Sequence, residues 1–194
     1  MIKYLMFCVC VSAGYLLYIS FPVNHGPGIT AQNAPRITPL TWHEPFTYKG
    51  ATVEPRKVIE AEVRILNKER YYFDAFSGYS PSDVIVGWNK MSDERNISYI
   101  FFTLSGRSFE SRYTKAPIDD KIIRAESDLW HLIPSTSAID DKIKQLRNGH
   151  IIRIKGLLVD MNNDSGFNIK TSTTLSDRIN KTGYAIWVEE FQVL

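Results

Sequence analysis

Residues 137–160 (SAIDDKIKQLRNGHIIRIKGLLVD) constrain the fold of this chain most, because they read as a helix, a turn and a strand in succession. Ile139, Ile143 and Leu146 recur at i, i+4 and i+7 and line one helical face. Ser137 can offer its hydroxyl to an unpaired amide as N-cap, and Asp140 three residues on completes a capping-box pattern. Asp140 and Asp141 stand at the helix end that favours anions, Lys144 and Arg147 at the end that favours cations. Gly149 suits the left-handed position that closes a helix. From His150 onward, Arg153 and Lys155 alternate with Ile152, Ile154 and Gly156, and the run turns wholly apolar at Leu157, Leu158 and Val159. That pattern predicts a strand half exposed at its start and buried later.

Residues 4–21 carry no charge, and their number is close to the roughly 20 that a membrane-spanning helix needs. The segment after them, Phe21-Pro22-Val23-Asn24, is a poor signal-cleavage site. Residues 1–21 are therefore expected to be an uncleaved membrane anchor, with a cleaved signal as the alternative. Lys3 precedes the run and the next basic residue is Arg36, which places the body on the extracytoplasmic, periplasmic side of a single-pass protein. Residues 22–45 hold Pro22, Pro27, Pro35, Pro39 and Pro45 with Gly26 and Gly28, the composition of an extended tether. His25 and His43, in or beside it, are expected to be solvated. Residues 46–194 then form one globular β-rich domain.

Within that body, residues 57–66 show the clearest strand pattern, with Ile59, Ala61, Val63 and Ile65 alternating against Glu60, Glu62 and Arg64. Residues 67–70 read as a turn before Tyr71-Tyr72-Phe73 resumes an apolar stretch. Ser80-Pro81-Ser82-Asp83 reads as the start of a short helical turn through Val86, ended by Gly87-Trp88. Residues 98–104 and 107–113 flank Ser105-Gly106 as a hairpin. Residues 118–133 are ambiguous, although Trp130 to Pro134 is apolar enough to enter the core. Residues 167–174 read as a strand returning on 150–160, and residues 175–183 as a polar loop. Residues 184–193 form a closing strand in which Ala185, Trp187, Phe191 and Val193 share parity and Glu189 interrupts them.

The order of strand, hairpin, helix, strand, strand and strand predicts a mainly β (α+β) fold with one central helix. It suits a small OB-like β-barrel, preceded by an N-terminal transmembrane helix; an α+β sandwich would read much the same.

The candidate site residues fall into three groups. His131, with Glu126 and Asp128 upstream, has the makings of a carboxylate-oriented general base, or is a structural histidine; no Gly-x-Ser-x-Gly accompanies it. Trp88 and Asp93 bracket a stretch that either binds a ligand or packs and caps a turn. Asp177 and Arg178 lie in the polar loop, where Arg178 could grip a carboxylate or phosphate. The four histidines are scattered without His-x-x-x-His spacing, there is no calcium-type acidic cluster and there is no phosphate-cradling glycine motif. No metal and no cofactor are expected. Both cysteines, Cys8 and Cys10, sit in the apolar run, so the body has no disulfide. A net charge of +2 lacks the basic footprint of a nucleic-acid binder.

Several segments together resemble an uncharacterised family of bacterial membrane-anchored or envelope proteins. They are Arg70-Tyr71-Tyr72-Phe73-Asp74, Ser80-Pro81-Ser82-Asp83 running to Gly87-Trp88-Asn89-Lys90-Met91-Ser92-Asp93, His131-Leu132-Ile133-Pro134, Gly156-Leu157-Leu158-Val159 and Thr171-Ser172-Thr173-Thr174-Leu175-Ser176-Asp177, with Gly183 and Val188-Glu189 beyond. The likeness covers about residues 45–194. It implies placement in the envelope and no particular chemistry. Members of that family tend to carry a cysteine near the positions of Ala185 and Ile186, which this chain lacks. The expected role is a membrane-tethered envelope protein, a non-enzymatic binding or accessory module whose partner is an envelope protein or ligand. The alternative is a hydrolase of envelope material using His131 with an acidic partner.

Overall fold

In the computed structural model, the alternating pattern of residues 57–66 lies inside a much longer strand, β3 (Ala51–Arg70). The structure describes residues 2–115, 117–175 and 183–194. The elements in order are α1 (Ile2–Ser20), β1 (Arg36–Pro39), β2 (Phe46–Tyr48), β3, β4 (Ser82–Gly87), a 3-10 turn (Asn89–Ser92), α2 (Glu94–Ile97), β5 (Phe101–Ser105), β6 (Ser108–Arg112), α3 (Asp120–Ala125), β7 (Ser127–Pro134), α4 (Ser137–Lys144), β8 (Ile151–Asn162), β9 (Asn168–Ile169) and β10 (Tyr184–Val193). The fold is mainly β with few helices.

β3 is long because, besides the short strands β1 and β2, it pairs with β8 along its first part and with β4 along its last. Thr52 to Arg64 pairs with β8, and Arg64 to Arg70 pairs with β4. Register shifts at Arg56 and Leu66 bend it between the two, as bulges do. The expected turn at residues 67–70 is therefore strand: the bulge lets pairing run on to Arg70. Pairing continues from β4 to β7, from β7 to β10 in parallel, from β10 to β8, and back to β3.

One core cluster lies among these five strands and includes Ile59, Val63, Val84, Trp130, Ile154 and Ile186. The predicted helix face, Ile139, Ile143 and Leu146, packs into the same cluster. Burying such side chains stabilises by about 1.5–3 kcal/mol each before entropy is counted. The helix is capped by the hydroxyl of Thr136, which accepts from Ile139 N–H, rather than by the expected Ser137–Asp140 box. Lys68 Nζ donates to the carbonyls of Lys144 and Leu146, both at 2.8 Å, and so satisfies the far end.

Residues 80–86 correct the expectation of a helical turn. Pro81 stands just ahead of a strand, and pairing on both sides buries Val84 and Val86 in the core. The expected hairpin is present, turning at Gly106-Arg107 rather than Ser105-Gly106, but it is a separate two-stranded sheet, not part of the wall. It lies over Ile85 and Leu129 through Leu104, Phe102 and Phe109. The strand expected at residues 167–174 is cut to β9. In β10 the register shifts between Val188 and Glu190, so Glu189 is the bulged residue and the core face passes from Ile186 and Val188 to Phe191.

Residues 22–45 are held against the body rather than extended. β1 pairs with β3, and Ala31 is fully buried. Val23 N–H donates to Asn148 O at 2.8 Å. His25, expected to be solvated, has Nε2 2.9 Å from the Gly149 carbonyl. The run of residues 4–21 is helical almost throughout, yet among the described residues no helix is long and apolar enough to cross a membrane.

Candidate functional site

β4 and β7 run antiparallel, and their register sets Asp83 directly opposite His131. Both point away from the main core, with the same parity as Ile85 and Leu129, which meet the hairpin. Asp83 Oδ1 is 2.9 Å from His131 Nδ1, and both side chains are buried. The same oxygen accepts from Arg107 Nη1 at 2.7 Å. Arg107 is at the tip of the hairpin, where it and Gly106 both have positive φ, the conformation of a tight two-residue turn. That backbone disfavours an arginine, and the side chain offsets the cost. Its guanidinium also donates to Ser80 O at 2.9 Å, grips Asp74 through Nη2 at 2.9 Å, and lies 3.9 Å from the Tyr71 ring centre.

This network is a tight one. Asp83 Oδ2 has no hydrogen-bond partner among the described residues. Burial, and then the Asp83 carboxylate, push the Tyr71 hydroxyl pKa up, so it stays protonated. Phe76 closes over His131 edge-on at 5.7 Å. An aspartate beside a histidine is a general-base arrangement, but here Arg107 shares the carboxylate and Phe76 covers the ring.

The acidic partners expected for His131 are engaged elsewhere. Glu126 accepts from Asn89 Nδ2 at 3.0 Å and from Lys90 N–H at 2.8 Å, holding the 3-10 turn. Asp128 accepts from the Leu129 N–H at 2.8 Å and stands on the other face of β7 from His131. Asp83 takes the role because it lies across the sheet. Its signal in the sequence was an acid inside an apolar strand, hidden while residues 80–86 read as a helical turn.

Trp88 packs in the main core. Asp93 caps α2, accepting from Arg95 N–H and Gly28 N–H, each at 3.0 Å. The Arg95 guanidinium, together with these amides, holds the Asp93 carboxyl well below the usual carboxylate range. Asp177 and Arg178 lie outside the described residues. Among the described residues no group of three or more His, Cys, Asp or Glu stands together to hold a metal ion.

A cleft of about 360 Å³ opens beside the hairpin. Its walls include Phe109 and Glu110 of β6, Arg124 of α3, Asp128 of β7, Thr174 and Tyr184. Tyr184 OH donates to Thr174 O at 2.8 Å, tying the start of β10 to Thr174. The cleft therefore lies between the hairpin and the described residues Thr174 and Tyr184.

No family model, no curated protein and no solved structure matches this chain.

Proposed function

We propose that this chain is a membrane-tethered envelope protein whose body is an OB-type barrel acting as a binding or accessory module. The cleft between the hairpin and residues Ser172, Thr174, Gly183 and Tyr184 carries the binding part of the reading. OB barrels take their ligands over the second and third strands and beside the loop between the fourth and fifth. The support for that type is the closed pairing, the parallel β7–β10 pair, and α4 between the third and fourth strands of the ring. In this chain the hairpin covers the second and third strands, and the cleft is the opening left beside Thr174 and the start of β10. The anchor part rests on the uncharged run and on α1, whose Tyr4, Met6, Phe7, Val9 and Val11 side chains are more than half exposed. Bare apolar surface on that scale favours transfer into lipid. The resemblance of residues 45–194 to envelope proteins agrees with this placement.

The test is a photocrosslinking residue at Ser108, on the cleft, and at Gln192, exposed on β10, in intact cells followed by alkaline membrane fractionation. The reading expects a discrete adduct from position 108 alone, with the full chain in the membrane pellet. A full chain released to the soluble fraction removes the anchor. Equal or absent crosslinking at the two positions removes the cleft as a binding site.

A further inference from the structure

We infer that the body lies against the bilayer surface through an aromatic rim, Tyr99 and Phe101, beside the point where the chain leaves α1. This rests on the reading of α1 as the membrane anchor. The chain after α1 is bolted to the body almost at once. Val23 N–H donates to Asn148 O at 2.8 Å, and Val23 O accepts from the buried Arg64 Nη2 at 3.3 Å. Gly149 permits this approach, since a Cβ there would collide with the Val23 carbonyl. Gly28 N–H on Asp93 and Thr30 on Ser92 continue the attachment. Only Phe21 and Pro22 separate Ser20, the end of α1, from that bolt. Three residue steps reach at most about 10 Å.

The rim stands at this same place. Pro22 and Phe101 line one groove of about 340 Å³, whose walls mix Ile97, Ile100 and Phe102 with the polar side chains of Arg64 and Glu94. Phe101 is 73% exposed, Tyr99 61% and Phe21 65%; in the rest of the body the exposed large aromatics among the described residues are Trp42, Tyr72 and Phe73. The headgroup layer is roughly 5–8 Å deep on each side of the hydrocarbon. A body held within about 10 Å of the helix end therefore brings its rim into that layer. Aromatic side chains are favoured there, because an apolar ring and a wet edge are satisfied together. The occupant of the rim is bilayer lipid. Tyr72 and Phe73 are also exposed, but they flank Asp74, which Arg107 holds at the opposite end of the hairpin from Phe101. They give a control surface of similar chemistry on the far side.

The test is nitroxide accessibility in vesicles of phosphatidylethanolamine and phosphatidylglycerol, using the full chain. Single labels go to Cys10 in a Cys8→Ser chain, and to Phe101→Cys or Phe73→Cys in a chain with Cys8→Ser and Cys10→Ser. We expect oxygen-accessible hydrocarbon depth at position 10, headgroup depth at 101 and water at 73. Hydrocarbon depth at 10 with water at 101 overturns the rim and leaves the anchor standing. Water at 10 overturns both. A label at 101 shielded from oxygen and from aqueous quencher alike shows a protein covering the rim and overturns lipid as its occupant.

Discussion

Asp83 and His131 face each other across the β4–β7 pair, with Oδ1 and Nδ1 2.9 Å apart and neither side chain open to solvent. The relationship is completed by Arg107, which reaches the same aspartate oxygen from the hairpin tip. The three residues thus latch the hairpin and the residue 71–80 loop onto one wall of the sheet.

Arg107→Met should cost about 3 kcal/mol or more, because it leaves the buried Asp83 charge without its cation. Arg107→Lys should recover little, since one ammonium cannot reach Asp74, Asp83 and Ser80 together. Adding Asp83→Asn to Arg107→Met should restore part of the loss. Urea denaturation of the four chains measures this. Equal stabilities for wild type and Arg107→Met would sink the latch.

Gly156→Ala should disrupt the ring, since its Cβ would meet the Trp187 carbonyl where β8 and β10 pair. We expect a loss of about 3 kcal/mol, at the upper end of overpacking costs. Gly166→Ala has open space, although φ is +86° there, and should cost only about 1 kcal/mol. Thermal melts of the two variants should differ accordingly.

His150 carries a pH dependence. Burial first, then the nearby charges of Arg147, His25 and Lys68, hold its pKa below the ordinary 6.5. Its Nδ1 accepts from Arg147 N–H at 3.2 Å, so that nitrogen must stay unprotonated. The unfolded chain binds the proton first, so this contribution is present above pH 6.5 and is lost as pH falls toward the folded-state value. The Tm of the wild type should drop more between about pH 7.5 and pH 5 than that of His150→Gln. An identical drop in both chains would rule it out.

Asp93→Ala should lose about 1–2 kcal/mol through its cap on α2. Because the folded carboxyl lies below the ordinary 3.8, its charge contributes above that pH and the contribution fades as acid protonates it. The gap between wild type and Asp93→Ala should therefore narrow in acid. The Gly28 amide, which donates to this carboxylate, should exchange its hydrogen faster in the variant. Unchanged exchange at Gly28 would show that the segment is held without Asp93.

Periodicity by itself determined the elements whose neighbours lie within a few residues. The Ile139 and Ile143 face of α4, the alternation of β8 and a hairpin near Gly106 stand as the sequence predicts, whereas α4 ends at Lys144, ahead of Leu146 and Gly149, and the hairpin turns at Gly106-Arg107. Local propensity suffices there, since side-chain direction repeats every two or 3.6 residues. Tertiary structure decided what depends on distant partners. Residues 80–86 become a strand because β3 and β7 flank them, and the Glu189 bulge resets which side of β10 is buried. The hairpin becomes a cover over Ile85 and Leu129 instead of a wall. The acid beside His131 is Asp83, not Glu126 or Asp128, because cross-strand register places a partner opposite in space while sequence proximity along a strand turns it to the other face.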